Sequence, residues 1–367
     1  MSNSGAADGD QKSRRPAASP FNQQQLASFS PIFTPRTITG IYLTVAVFFI
    51  LLGSGLYAVN GNAQDYEFQY DGNGADSTDC EITTANEGKN CTISFTLTKD
   101  LPAPIYVYYE LHNFYSNHRK YVQSFSQDQL LGSQISDLSA CTPLERNGDL
   151  TLSPCGLIAN TLFNDIITVT SDQVMEETGI AWNTDLDKFE QPHGFVTTAC
   201  AATDECASCL QAAYNSDDDY DGCGIATDAS GTSYAYWYPD EDKIQYLYET
   251  FPDVISPLEG VKNEHFMVWM RVAGLRQFRK PYGKISQSLA KGTTVTFNVV
   301  NNFLVSSFGG SKSLVMSHVS DLGAPNVYWP QSFLVIGFLV LGLALVVILV
   351  QTCAPRPLGD VKMLFDS

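Results

Sequence analysis

The residues of this chain best equipped for chemistry are nine cysteines, five histidines and a cluster of aspartates. Eight of the cysteines (Cys80, Cys91, Cys141, Cys155, Cys200, Cys206, Cys209 and Cys223) lie in the middle of the chain, and Cys353 stands alone near its end. An even set of thiols in an oxidising compartment forms disulfides. In a reducing one, Cys206-x-x-Cys209 with Cys200 and Cys223 has the formal makings of a zinc site. The histidines are His112, His118, His193, His265 and His318. His112 and His118 flank Asn113-Phe114-Tyr115, a spacing that fits neither i,i+2 on a strand nor i,i+4 on a helix, so no metal pair is expected there. Asp217, Asp219, Asp221 and Gly222 occupy positions 1, 3, 5 and 6 of an EF-hand-like loop, with Asp228 at position 12. Carboxylate oxygens at alternating positions around a glycine turn are what Ca²⁺ requires. Position 12, however, is Asp where a bidentate Glu belongs, position 8 is Gly224, and no clear helices flank the loop. A solvated acidic insert is therefore the main reading and Ca²⁺ the weaker one. No H-E-x-x-H, G-x-S-x-G, glycine-rich phosphate loop or dinucleotide fingerprint occurs. The expectation is a protein without catalytic residues, cofactor, small-molecule substrate of its own or nucleic-acid partner.

Two apolar stretches decide where these residues sit. Residues 38–59 are 22 in number and 333–350 are 18, and neither stretch holds a charge. At ~1.5 Å per residue each is long enough for the ~30 Å core of a bilayer, the second only just. A 37-residue polar tail precedes the first, which reads as a signal anchor and not as a cleaved signal peptide. That tail carries four basic residues against two acidic, and the tail after 350 carries two against two. The whole chain is −18, so residues 60–332 carry −20. Basic flanks favour the cytosol, which puts both termini there and the acidic segment in the lumen or outside the cell. The eight grouped cysteines and the one N-x-S/T sequon, Asn90-Cys91-Thr92, fall in the same segment. Three signals thus agree, and disulfides are favoured over zinc. Cys353 is expected as a free thiol or palmitoylation site. Tyr42, Tyr57, Tyr328 and Trp329 suit membrane interfaces.

The spans argue against a conduit, since ion and substrate pathways carry intramembrane ionisable groups and these spans have none. Small residues (Gly40, Gly53, Ser54 and Gly55; Gly337, Gly342 and Ala344) permit close helix packing. The first thirty residues have little to bury. Next to the membrane, residues 29–36 place Phe29, Pro31, Phe33, Pro35 and Arg36 where a partner or the headgroup layer can receive them.

The expected organisation is a cytosolic tail (1–37), a membrane helix (38–59), an ectodomain (60–332), a second helix (333–350) and a cytosolic tail (351–367). The ectodomain reads mainly as β. Ile93, Phe95 and Leu97 alternate with Thr92, Ser94, Thr96 and Thr98. Ile105, Val107, Tyr109 and Leu111 form a second alternation, and Val295, Phe297 and Val299 a third. Helices are expected over residues 242–250 and 261–274. The fold class is an integral membrane protein: two transmembrane α-helices flanking a large, mainly antiparallel, sandwich-like β ectodomain with some helices.

Five segments carry a family resemblance: residues 113–122 (NFYSNHRKYV), 154–165 (PCGLIANTLFND), 180–182 (IAW) with Asp185, 263–273 (NEHFMVWMRVA) leading to 278–280 (FRK), and 301–305 (NNFLV) with 308–312 (FGGSK). In order and spacing they resemble the cell-division-cycle-fifty, or ligand-effect-modulator, family. Its members are β-subunits of lipid-flipping P-type ATPases. The resemblance implies a non-catalytic partner that forms a heterodimer with a ten-span α-subunit and contacts membrane lipids. It helps the α-subunit fold, leave the endoplasmic reticulum and move aminophospholipid or related lipid to the cytosolic leaflet. The residence implied is the endoplasmic reticulum, Golgi, endosome or plasma membrane. The same resemblance pairs Cys80 with Cys91 and Cys141 with Cys155, and implies glycosylation in the ectodomain, where Asn90 is the acceptor. Residues 194–234, with four cysteines and the aspartates, read as a lineage-specific insert whose pairing stays open. Trp182, Phe266, Trp269 and Phe303 are expected in the core. Asn160, Asn164 and Asn301 are expected to cap turns or satisfy buried backbone, and Arg119, Arg271 and Arg279 to sit in ion pairs. Two other readings stand beside this one: a β-subunit for an ATPase–cyclase fusion, and a stand-alone receptor or adhesion protein.

Overall fold

The computed structural model describes residues 19–22, 24, 26, 33–60, 64–76, 78–84, 86–170, 172–215, 219–319, 323 and 326–355. These fall into two compact units, Met1–Tyr57 with Val327–Ser367, and Ala58–Asn326.

The larger unit is built on two antiparallel sheets. The first holds β1 (Gln64–Gly72), β3 (Ile105–His112), β7 (Met175–Glu176), β12 (Phe278–Ile285) and β14 (Ser311–His318) in the order β1-β14-β3-β12-β7. The second holds β2 (Lys89–Thr96), β6 (Ile166–Val169) and β13 (Thr294–Asn301) in the order β2-β13-β6. The period-two alternations explain the pairing. Ile93 and Phe95 of β2, and Val295, Phe297 and Val299 of β13, point into one core with Val107, Tyr109, Leu314 and Met316 of the first sheet. Facing outward, Ser94 meets Thr296 at 3.1 Å and Thr96 meets Thr294 at 3.2 Å, hydroxyl to hydroxyl. Burying one such side chain as large as Phe297 contributes roughly 1.5–3 kcal/mol.

Two smaller sheets attach. One is β11 (Ile244–Tyr246), β5 (Leu150–Ser153) and β4 (Arg146–Asn147), with β11 parallel to β5. The other is β8 (Val196–Ala199), β10 (Ser233–Trp237) and β9 (Gly224–Thr227), which makes the insert a folded hairpin sheet. The α-helices are α1 (Pro35–Asn60), α2 (Arg119–Gln123), α3 (Gln127–Leu130), α4 (Asn183–Leu186), α5 (Cys206–Tyr214), α6 (Leu247–Thr250), α7 (Glu264–Met270) and α8 (Tyr328–Cys353). Four disulfides brace the unit. Cys80 joins Cys91 and Cys141 joins Cys155, while inside the insert Cys200 joins Cys209 and Cys206 joins Cys223. Closing loops of this length stabilises by up to ~3 kcal/mol each in the chain-entropy account.

Two helix expectations are corrected. Residues 244–246 are a strand, because Ile244, Gln245 and Tyr246 pair with Thr151, Leu152 and Ser153, and only Leu247–Thr250 is helical. The helix expected over 261–274 runs Glu264–Met270 after a 3-10 turn at Gly260–Lys262. Asn263 caps its start by accepting from the Phe266 N–H at 3.2 Å. Lys280, 6% exposed, ends it: its ammonium donates to the carbonyls of Val268, Trp269 and Arg271. These are carbonyls that a continuing helix would have bonded itself. Burial pulls the Lys280 ammonium down to about 7.

A buried polar network ties the two sheets together. Lys312 on β14 is fully buried, with its ammonium 2.7 Å from Asp165 and 3.6 Å from Asp71. It also donates to the Asn301 side chain and the Phe303 carbonyl. Asp165 accepts from the Tyr70 hydroxyl at 2.7 Å and from the backbone N–H groups of Asn302 and Phe303, each at 2.6 Å. Asn301 donates to Asp71 at 3.2 Å and to the Cys80 carbonyl at 2.7 Å. A β-bulge between Gln69 and Asp71 turns the consecutive residues Tyr70 and Asp71 both inward, which a regular strand cannot do. Burial lowers the Lys312 pKa, and the two carboxylates oppose the shift. Replacing Lys312 with Met leaves two buried carboxylates unpaired. We expect a loss of about 3–5 kcal/mol, read as a lower unfolding midpoint of the detergent-solubilised chain.

Candidate functional site

The helical unit shows two kinds of surface. α1 begins with Pro35 in its first turn, where the missing N–H costs nothing, and Thr34 accepts from the Thr37 N–H at 3.2 Å. α1 and α8 pack through small residues. Ala46 and Ala344 are fully buried. A Cβ on Gly53 would come 2.9 Å from the Leu334 side chain, and one on Gly337 would come 2.7 Å from Ile50. The Phe49 and Phe333 rings stack beside them at 5.8 Å. Gly40, Gly55 and Gly342 have nothing within 4 Å and Ser54 is exposed, so these four small residues lie off the seam. The outward faces carry exposed Phe48, Leu51, Leu339 and Leu349. Near the end that holds Pro35 the two helices leave an apolar groove of about 320 Å³, lined by Pro35, Ile38, Val346, Val350 and their neighbours. Phe33 is 60% exposed beside it and Arg36 is exposed. Phe29 and Pro31 lie outside the described residues.

In the ectodomain the family-like segment 113–122 meets residues 273–276, where the segment 263–273 runs on towards 278–280. Ser116 donates to the Ala273 carbonyl at 3.2 Å, and Asn117 to the Gly274 carbonyl at 2.9 Å. The Phe114 N–H donates to the Arg276 carbonyl at 3.1 Å. Asn113 sits at φ +62°, a left-handed position that Asn tolerates, and its side chain donates to the Phe308 carbonyl at 3.1 Å. Phe114 goes inward onto Trp269 and Phe308, whereas Tyr115 and Leu275 are exposed. Arg119, Lys120 and Arg276 are exposed and make no ion pair among the described residues. Alongside, Arg271 lies 5.3 Å above the Trp182 ring and pairs with Asp185, which Lys188 also reaches at 2.7 Å. An apolar cavity of about 190 Å³ opens there between Phe125, Leu130, Phe189 and Met267, rimmed by Lys188 and Arg271. In a segment of net charge −20 this is a local concentration of unpaired cations and exposed aromatic and apolar groups.

Of the expected core residues, Phe266 and Trp269 are buried and Phe303 packs against the core, but Trp182 is 67% exposed. Its ring serves as a platform for Arg271, which is held outward by the buried Asp185 carboxylate. Arg271 and Arg279 are ion-paired and Arg119 is not. The Asn160 amide donates to the Pro154 and Gly156 carbonyls at 3.1 and 2.9 Å, and the Asn164 carbonyl accepts from Asn302 at 3.0 Å. Asn90 is exposed on β2, next to the disulfide-bonded Cys91.

The EF-hand-like spacing does not become an EF-hand loop. Asp217 lies outside the described residues. Asp228 is separated from Asp219 and Asp221 by β9, an extended run of roughly 13 Å at ~3.3 Å per residue. Its carboxylate is occupied in the hairpin turn, accepting from the Ser230 N–H at 2.9 Å, the Ser230 hydroxyl at 2.6 Å and the Thr232 N–H at 2.9 Å. Those bonds hold its pKa below the usual carboxylate range.

Together these features define a two-span membrane protein with a large, disulfide-braced β ectodomain. The family model described as LEM3 (ligand-effect modulator 3) family / CDC50 family matches residues 56–357. ALA-interacting subunit 3 of Arabidopsis thaliana is 32% identical over 362 residues, covering 95% of this chain and 89% of that protein. Cell cycle control protein 50A of Mus musculus is 31% identical over 366 residues, covering 94% and 92%. Cell cycle control protein 50B of Homo sapiens is 29% identical over 350 residues, covering 89% and 90%. The chain belongs to the CDC50/LEM3 family.

Two outcomes follow. A disulfide placed by the double substitution Phe49→Cys and Phe333→Cys is expected to form readily in the intact helix pair. Adding Gly337→Val should reduce it several-fold, and adding Gly342→Val should not. Second, the hydrogen bond from Arg271, then that from Lys188, depresses the Asp185 pKa. A depressed carboxyl stabilises the fold above its unfolded pKa of ~3.9, and the gain is lost as pH falls through the folded value. Asp185→Asn should therefore destabilise at pH 7, by about 1–3 kcal/mol, and cost progressively less as the pH is lowered below ~3.9 in denaturant titrations.

Proposed function

We propose that this chain is the non-catalytic β-subunit of a P-type ATPase that flips phospholipid. It forms a heterodimer with the α-subunit, assists its folding and exit from the endoplasmic reticulum, and supports the transport cycle. The α-subunit performs ATP hydrolysis and lipid translocation. The observation that carries this reading is a helix pair sealed by Ala46, Gly53, Gly337 and Ala344 that leaves both outward faces apolar and uncharged. A pair of that kind has nothing of its own to conduct and a wide apolar surface for a partner's helices. Relatives named ALA-interacting subunits accord with it. Both termini lie in the cytosol and the ectodomain in the lumen or outside the cell, where Asn90 is the glycan acceptor. Phe29, Pro31, Phe33, Pro35 and Arg36 reach the partner on the cytosolic side. The face of Tyr115, Leu275, Arg119, Lys120 and Arg276 meets acidic lumenal loops of the partner, by charge complementarity. The complex resides in the endoplasmic reticulum, the Golgi or endosomes, or the plasma membrane.

Affinity purification of the tagged chain in mild detergent should recover a ten-span P-type ATPase in stoichiometric amount by mass spectrometry. Recovery of the chain alone would overturn the proposal. The triple charge reversal Arg119→Glu, Lys120→Glu and Arg276→Glu should reduce recovery about tenfold while moving the unfolding midpoint little, because these side chains are exposed and unpaired.

A further inference from the structure

The outer face of the first sheet carries a polar cluster that the partner reading does not use. Arg279 on β12 reaches across the sheet and binds three carboxylates at once: Glu110 on β3 through Nε, and Asp65 and Glu67 on β1 through Nη1 at 2.6 Å and Nη2 at 3.3 Å. Three negative charges thus share one positive charge, and Glu110 is 1% exposed. Of the three, only Glu110 is withdrawn from water; Asp65 and Glu67 remain partly exposed.

Two buried polar atoms at this place make no hydrogen bond, one of them held only by an ion pair. His112 Nε2 lies 3.0 Å from Glu110 Oε1, yet it is buried and makes no hydrogen bond. That distance is also the spacing of neighbouring ligand atoms on one ion, given metal–ligand bonds of ~2.0–2.2 Å. Ser313 on β14, fully buried, has an unbonded Oγ. Ser313 pairs in register with Glu110 on one side and with Gln69 on the other, so it stands on the same face between β1 and β3. Ligand atoms of Glu67, Glu110 and His112 all lie within 4.8 Å of one another, the one such group of three among the described residues.

We propose that Glu67, Glu110 and His112 form a divalent-metal site, with Zn²⁺ the ion of matching chemistry. One imidazole with two carboxylates is an N/O set suited to Zn²⁺, whereas Ca²⁺ and Mg²⁺ call for oxygen alone. A divalent ion cancels the excess of two negative charges. Arg279 and Gln277, whose amide donates to Glu110 Oε1 at 2.6 Å, then act as outer partners that orient the carboxylate. Glu67 has a half-exposed side chain, paired at its outer end with Arg279, and has room to close the remaining distance. Ser313 supplies a hydroxyl for a bound carboxylate or for a water in the fourth position. The ion would clip β1 to β3 across β14.

The test is isothermal titration of the untagged full chain in detergent micelles, stripped with chelator, against ZnCl₂ alone. One equivalent should bind with micromolar or tighter affinity, and the unfolding midpoint should rise with Zn²⁺ concentration. His112→Ala and Glu67→Gln should each weaken binding at least tenfold. Glu67 is the more exposed of the two and its variant guards against a folding defect at His112. His265→Ala, at a histidine paired with Glu177 elsewhere, should leave binding unchanged. Absence of binding to the folded wild-type chain, or binding that neither Glu67→Gln nor His112→Ala weakens, overturns the proposal.

Discussion

Lys312 holds the ectodomain together at the point where its separate parts converge. A single ammonium, fully excluded from water, is satisfied by Asp165, Asp71, Asn301 and the Phe303 carbonyl. Those partners come from the end of β1, the end of β13 and the segment before β6. The Asn301 amide extends the network to the backbone at the Cys80–Cys91 disulfide. An isolated buried cation is unaffordable in a protein interior, so each of these segments must reach its place before the charge can be buried. The bulge at Tyr70, the seating of the Asn302 and Phe303 N–H groups on Asp165 and the approach of the second sheet to the first are all conditions of that one satisfied charge.

The aromatic core packs outward from this network. Tyr109 stacks on Phe163 at 3.8 Å, and Phe163 contacts Phe303, which in turn meets Phe114 and Trp269. Phe114 anchors the loop whose next residue, Tyr115, is exposed, and Trp269 anchors the helix that leads to the exposed Arg271, Gly274, Leu275 and Arg276. This exposed face is thus positioned from within: its outward residues alternate with residues rooted in the core. Lys280 adds the final constraint by stopping α7 at Met270, which frees the chain to turn outward at Arg271.

The helical unit answers to a different solvent. In hydrocarbon every backbone group must be bonded within its own helix, and helix pairing draws on close packing because apolar burial offers no gain. Small residues at four points of the seam supply that packing. The same logic leaves the other faces large and apolar, which would be a fault in a soluble protein and is a usable surface in a membrane. As the β-subunit proposed above, the chain would offer those faces to helices that are not its own.

Much of this architecture could be read without coordinates. Two charge-free stretches of membrane length, the even cysteine set and the three period-two alternations are local patterns, and local patterns translate directly into helices, cross-links and strands. The five family-like segments were legible as a set for the same reason. Other features needed the fold. Residues 244–246 are apolar enough for helix or strand, and only the presence of β5 beside them selects the strand. Trp182 reads as core by its type, yet it stacks at the surface under Arg271, some ninety residues away, which Asp185, three residues on from Trp182, holds in place. The aspartates of the insert have the spacing of a calcium loop, but hairpin pairing of β9 with β10 separates Asp228 from Asp219 and Asp221. Conversely, Glu67, Glu110 and His112 share no motif, and Glu110-x-His112 by itself is two residues on one strand face. Pairing of β1, β14 and β3 brings them together. Sequence by itself determined the elements, because propensity, hydrophobic period and charge act over a few residues. Tertiary structure alone decided which distant residues meet, because burial of a charge and register between strands are set by segments far apart in the chain.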